Sequence, residues 1–326
     1  MFILFRCTAG ANNGWGNLKR LELIFKFLKN KFNFNYKFLI NKNKYIEKYL
    51  KKKKINYFLV SKNLAKEKKI ISNFEKIDIS ILELLNCNLN IQKIYKEVSK
   101  KLIILDDITK KKYISDILIS CQKKFFKPKK INSCEFYNDY TYFPLKKTFN
   151  KFISKNKTTK KDIKQIIVFL GGSNYLKFYI KIAKKLKNQK FQVSFLIGPE
   201  NSYKINKEIK SISKKFKVFI DSNLIAKKIF NSDLVISGGG YTKIETAYLK
   251  TPMICIPIHN HQKILIRDFY KSFNLKINYS NLLLKNNLIH ELQKFNYFKR
   301  LNISKKFSTT FKVNGIKKIA DLIYEK

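Results

Sequence analysis

A chain of 326 residues with 45% hydrophobic and 14% aromatic content can bury a core and is long enough for two domains; 10 Gly and 5 Pro exclude collagen-like and low-complexity classes. The formal charge of +47 raises nucleic-acid binding, but only four of the 69 basic residues are Arg, the residue suited to bidentate phosphate and base contacts. Abundant Lys, Asn, Ile, Phe and Tyr beside scarce Gly, Arg, Trp and His is the pattern of AT-rich codon drift, so no specific nucleic-acid partner is expected.

Glycine maps the chain, because a glycine-poor sequence keeps it where the backbone turns tightly or approaches something closely. The first cluster, Gly10, Gly14 and Gly16, follows the apolar run Phe2–Phe5 and precedes a helical pattern from Leu18 to Leu28. Apolar runs at Tyr36–Ile40, Ile55–Val60 and Leu102–Leu105 then read as buried strands between Lys-rich helices. Lys51–Lys54 and Lys110–Lys112 are solvated faces. The polar stretch Lys151–Lys164 closes the first half, and the linker is placed at about 145–164. The second cluster, Gly171 and Gly172, lies between the run Ile166–Leu170 and a helical pattern over Tyr175–Leu186. Strands are expected at Phe191–Ile197 and Lys217–Ile220. The third cluster, Gly238, Gly239 and Gly240, lies between Leu234–Ile236 and a helix over Thr242–Leu249, with a further strand at Met253–Ile258. Strands alternating with helices imply parallel sheets in an α/β fold. Two doubly wound domains are expected, residues 1–150 and 151–326, with a ligand cleft at the carboxyl ends of both sheets.

No apolar run approaches the roughly 18 residues of a membrane span. Met1–Phe5 is too short for a signal peptide, and five scattered cysteines without a CxxC pair support neither a disulfide framework nor a zinc site. The expected location is cytoplasmic.

Neither GxGxxG nor GxxxxGK[ST] occurs. The segment Asn231–Ala247, with Ser237-Gly238-Gly239-Gly240-Tyr241-Thr242 and Glu245, continues through Thr251-Pro252 to His261-Gln262. It resembles the donor-nucleotide motif of glycosyltransferases with the two-Rossmann (GT-B) architecture, a group that includes the enzyme completing lipid II. The physical reading agrees: a glycine turn admits a pyrophosphate, a helix N-terminus faces it, Thr242 can cap that helix, and Glu245 one turn on can accept from ribose hydroxyls. A first-turn acid favoured by the helix dipole is the plain alternative for Glu245.

Collinear pieces narrow the resemblance. Arg6-Cys7-Thr8 and Gly14-Trp15-Gly16-Asn17-Leu18-Lys19-Arg20 are similar to an R-x-D and G-x-G-H-x-x-R opening. Asp106-Asp107, Tyr142–Phe149, Leu170-Gly171-Gly172-Ser173-Asn174 and Asn223-Leu224-Ile225 follow in the same order. Together they resemble the UDP-2,4-diacetamido-2,4,6-trideoxy-β-L-altropyranose hydrolases of pseudaminic-acid synthesis and related spore-coat polysaccharide proteins. The resemblance implies a UDP-sugar substrate without cofactor or metal. It implies Gly14, Gly16, Asn17 and Arg20 on the sugar side. Gly171, Gly172, Ser173, Asn174, Asn223, Leu224, Gly239, Gly240, Tyr241, Thr242 and Glu245 then line the nucleotide side, with His261 and Gln262 closing the pocket. No motif is legible after about residue 270.

Three departures bear on chemistry. Asn17 stands where that family has its catalytic histidine, Thr8 replaces the acid of R-x-D, and no V-D-x-Y stretch lies between residues 70 and 90, where Ile79–Glu83 comes nearest. Asn cannot exchange a proton near neutral pH, and such acid–base groups are worth about 10²- to 10⁴-fold in rate. Asp106 and Asp107 are the remaining base candidates, with helix N-capping as their alternative. His259-x-His261 lacks a third ligand for a metal, and His290 reads as a helix-surface residue. The expected function is a UDP-sugar hydrolase; the alternatives are a glycosyltransferase acting on the same donor and a non-catalytic UDP-sugar binder.

Overall fold

The computed structural model describes all residues except 11–13, 62, 75, 108–111, 124–128, 131–133, 173–174, 199–201, 221–222, 285 and 325–326. The chain forms two compact units, Met1–Pro144 with Gly315–Lys326, and Leu145–Asn314.

Unit 1 runs β1 (Phe2–Cys7), α1 (Gly16–Lys29), β2 (Asn35–Asn41), α2 (Lys44–Lys52), β3 (Tyr57–Val60), α3 (Leu64–Ser72) and β4 (Ile77–Glu83). It continues with α4 (Leu89–Val98), β5 (Ser99–Leu105), β6 (Lys112–Tyr113), β7 (Ile117–Ser120), β8 (Lys129–Lys130) and β9 (Glu135–Asn138). The seven-stranded sheet has the order β3-β2-β1-β4-β5-β7-β9, with every pairing parallel. Parallel strands are covered by helices on both faces, which is why β1 and β5 read as continuous apolar runs. Asn43, Asn63 and Asn88 start α2, α3 and α4 by accepting from first-turn N–H groups.

Unit 2 runs α5 (Lys147–Ile153), β10 (Gln165–Phe169), α6 (Leu176–Leu186), β11 (Gln192–Ile197), α7 (Ser202–Ile212), β12 (Lys217–Ile220) and α8 (Ile225–Asn231). Then come β13 (Leu234–Gly238), α9 (Thr242–Tyr248), β14 (Met253–Ile256), α10 (Asn260–Ser272), α11 (Asn287–Gln293) and α12 (Tyr297–Thr310). Its five strands are all parallel in the order β12-β11-β10-β13-β14. Both sheets thus carry the doubly wound order, reversing between β1 and β4 and between β10 and β13. Such reversals leave a crevice outside the carboxyl ends of the strands.

The last helix, α13 (Ile316–Tyr324), belongs to unit 1, against the expectation that residues 151–326 form one domain. It buries Ile319, Ala320, Leu322 and Ile323, and Lys101 of β5 donates to the Leu322 and Ile323 carbonyls at 3.0 and 3.2 Å. The basic end of β5 thereby meets the negative end of the α13 dipole. The first boundary falls at Pro144/Leu145 instead of 150/151, and α5 occupies the start of the expected linker.

Candidate active site

In unit 2 two glycine loops lie side by side at the reversal point. β10 ends into Gly171, whose φ of +117° suits glycine alone, and a Cβ there would lie 3.7 Å from the Tyr175 ring and 3.9 Å from Thr242. β13 ends in Gly238, where a Cβ would lie 2.4 Å from the Leu170 carbonyl oxygen, so the two strand ends touch backbone to backbone. Gly172 is approached equally closely by Gly198 after β11. Gly239 packs its bare backbone on α10, with Ile266 and Gln262 filling the space a Cβ would need.

Thr242 does not cap α9 as expected. Tyr241 holds the N-cap position, and Thr242 turns back into the strand end, donating to the Gly238 carbonyl at 3.1 Å and accepting from the Ser237 hydroxyl at 3.1 Å. The helices α6 and α10 likewise begin at Tyr175 and His259 without a side-chain cap, in contrast to the Asn-capped helices of unit 1. Uncapped first turns at strand ends leave N–H groups and positive dipole ends for an anion.

Glu245 lies in the first turn of α9 and is half-buried. Among the described residues no hydrogen bond or ion pair engages its carboxylate. Desolvation raises its pKa, opposed only in part by the charge of Lys146. Gln262 is buried and accepts from the Ile258 N–H at 2.9 Å, which fixes the turn into α10 and leaves its amide nitrogen toward Gly240. The His261 ring stacks on His259 at 5.5 Å and is held below the usual histidine range by desolvation, then by His259 and Lys243. His259 also meets Tyr175 edge-on at 5.8 Å. Asn223 and Leu224 are exposed between the edge strand β12 and α8. Ser173 and Asn174 lie outside the described residues.

In unit 1 the first glycine cluster closes on itself: Gly10 and Gly14 exchange hydrogen bonds of 3.0 and 2.7 Å, with φ of +118° and +75°. Gly16 opens α1, and the Asn17 amide reaches the Glu83 carbonyl at 3.4 Å. Arg20 is held by two carboxylates. It is buried, with Nη2 at 2.6 Å from Glu83 and Nη1 at 2.9 Å from Asp107. Asp107 also accepts from the Cys121 N–H at 2.8 Å, and Asp106 accepts from the Tyr113 hydroxyl at 3.0 Å. Both aspartates are thus buried among interior partners, and the residues after Asp107 that a cap would serve, 108–111, lie outside the described residues. Sequence reasoning missed Glu83 as a member of this group, along with Lys243 and Tyr175 in unit 2; His259 was weighed only as a metal ligand. His290 is exposed on α11, as read.

Residues 166–323 match the Glycosyltransferase family 28 C-terminal domain. Over 268 residues the chain is 26% identical to an uncharacterized protein of Methanocaldococcus jannaschii, covering 76% of this chain and 54% of that one. Over 136 residues it is 32% identical to the UDP-N-acetylglucosamine–N-acetylmuramyl-(pentapeptide) pyrophosphoryl-undecaprenol N-acetylglucosamine transferase of Campylobacter jejuni subsp. doylei, covering 39% of this chain and 38% of that enzyme. The matches thus span about half or less of these relatives' own lengths. The structure is similar to MurG of Acinetobacter baumannii, with a TM-score of 0.69, 11% identity, and coverage of 100% of this chain and 99% of that one. The expected fold, two parallel-sheet Rossmann-like domains of the GT-B class, is the fold found. No described helix is long and apolar enough to cross a membrane.

Proposed function

We propose that the protein is a glycosyltransferase whose unit 2 binds a nucleoside-diphosphate sugar, UDP in the leading version. The carrying observation is Glu245, a half-buried carboxylate in the first turn of the helix that follows the Gly238–Gly240 loop, within the segment that matches the glycosyltransferase domain. In this reading Gly171, Gly172, Gly239 and Gly240 admit the diphosphate, Glu245 accepts from the ribose hydroxyls, and His261 and Gln262 border the sugar end. Ser173, Asn174, Tyr241, Asn223 and Leu224 remain candidate contacts of the same ligand. An acceptor hydroxyl forms its bond to the anomeric carbon as the bond to the diphosphate oxygen breaks; the electron pair leaves on the nucleoside diphosphate and the hydroxyl proton is released to solvent. N–H donors aimed at the departing phosphates stabilise that charge.

Transfer is preferred to hydrolysis, the leading expectation from sequence, for two reasons. The matched domain is that of a transferase family, and Asn17 offers no titrating proton where the resembling hydrolases have histidine. A surface-polysaccharide role and a cytoplasmic location remain part of the proposal.

Calorimetric titration with UDP and ADP, in parallel with Glu245→Ala, tests the reading. Selective UDP binding that weakens at least tenfold in the variant supports it. Equal, salt-sensitive binding of both nucleotides, unchanged in the variant, means that the net charge alone attracts them and overturns it.

A further inference from the structure

Lys243 is fully buried, although Lys is the commonest surface residue of this chain. Its ammonium donates to the carbonyl oxygens of Gly239 at 2.9 Å and Gly240 at 3.1 Å, and it lies 5.8 Å from the centre of the Phe269 ring. Among the described residues there are no cis peptide bonds. In a trans peptide the C=O and N–H point in opposite directions. Two carbonyls drawn inward onto one ammonium therefore turn the next two N–H groups, those of Gly240 and Tyr241, to the other side. The Gly240 N–H has no hydrogen-bond partner among the described residues. The loop cannot retreat, because Ile266 and Gln262 of α10 fill the space behind Gly239.

We infer that Lys243 is a positioning residue for the donor diphosphate: it fixes the Gly239 and Gly240 peptides with their N–H groups toward the phosphates and sets a buried positive charge behind them. The inference rests on the proposed nucleotide site. An arriving diphosphate supplies charge opposite to this ammonium in a medium where charges are weakly screened. The same ammonium contributes to holding the His261 imidazole low.

The test compares UDP with uridine on the full chain, for wild type, Lys243→Met and Lys243→Gln. The expected result is a fall of tenfold or more in the UDP-to-uridine affinity ratio for Lys243→Met, with uridine binding unchanged. Lys243→Gln, which keeps an amide donor without the charge, falls by a smaller factor. A folded variant that keeps the wild-type ratio overturns the inference. Should neither variant fold, the wild type still decides. Its Gly240 amide resonance shifts with inorganic pyrophosphate and UDP but not with uridine, and an unmoved resonance overturns the role. If wild type does not prefer UDP to ADP, the nucleotide-sugar reading itself fails, an outcome distinct from failure of the Lys243 role.

Discussion

Arg20 and Glu83, 63 residues apart in sequence, meet at 2.6 Å in the interior of unit 1, and the same guanidinium holds Asp107 at 2.9 Å. The contact ties α1 to the carboxyl end of β4 beside the turn carrying Asn17. Arg20→Met leaves two buried carboxylates without their shared cation, and a loss of about 3–5 kcal/mol is expected. Arg20→Lys recovers little of it, since an ammonium cannot reproduce the planar fork. Denaturant unfolding of the three proteins measures this; a loss below about 1 kcal/mol for Arg20→Met would show that the ion pair does not hold the interior.

Glu245 sets stability against binding. Its folded pKa is raised by desolvation, so at pH values below the unfolded value both states are protonated and the residue costs nothing. As pH rises through the raised folded value, ionisation is harder in the folded state, and stability falls. Glu245→Gln is therefore expected to raise Tm by about 2 °C at pH 7 and by nothing near pH 3.5, while weakening UDP. Melting curves at the two pH values check the sign.

Two neighbouring glycines should separate folding from ligand contact. A Cβ at Gly238 would lie 2.4 Å from the Leu170 carbonyl oxygen, backbone that cannot yield. Gly238→Ala is expected to destabilise by several kcal/mol, about 3 or more, through backbone displacement. At Gly240 the nearest atom would be the Gln262 amide nitrogen at an ordinary 3.7 Å. Gly240→Ala should fold normally and lose UDP affinity about tenfold, because the methyl stands where the phosphates approach. Equal behaviour of the two variants in thermal melts would contradict this division.

Lys157, between α5 and β10, donates to the Ser232 carbonyl at 2.7 Å and to the Phe230 carbonyl. Burial lowers its pKa to about 8, with Asp233 opposing and Lys160 adding to the shift. Below pH 8 the amine is protonated in both states and the cost of burying its charge is fully present. Between about 8 and 10.5 the folded protein has shed the proton that the unfolded chain keeps, so this group makes stability rise with pH. Carbon-13 reductive methylation should reveal one lysine titrating near pH 8, assigned by its absence in Lys157→Arg. All methylated lysines titrating above 10 would refute it.

The strands legible in the sequence are those buried on both faces as unbroken apolar runs, such as Phe2–Phe5 and Ile166–Leu170. β4 was not legible, because Asp78 and Ser80 interrupt it. Both are engaged within the unit: half-buried Asp78 accepts from the Phe2 N–H at 2.8 Å, and buried Ser80 shares a 2.5 Å hydrogen bond with Ser99 across to β5. Missing β4 hid Glu83, and with it the true partner of Arg20. The glycine loops were legible, since positive φ and backbone contact admit little else. Lys243 was not, because one lysine among many carries no sign of burial, and the long-range capture of Asp107 by Arg20 leaves no local trace.

The return of α13 to unit 1 makes unit 2 an insertion within another domain. The Leu145 N–H and carbonyl bond the Asn314 side chain at 3.0 and 2.9 Å, so the insertion begins and ends at one point, while Gly315 N–H bonds the Phe143 carbonyl at 3.0 Å. During synthesis from the N-terminus, every residue of unit 2 emerges before the helix that completes unit 1. Unit 2 can therefore mature first, while unit 1 still waits for the helix that completes its fold.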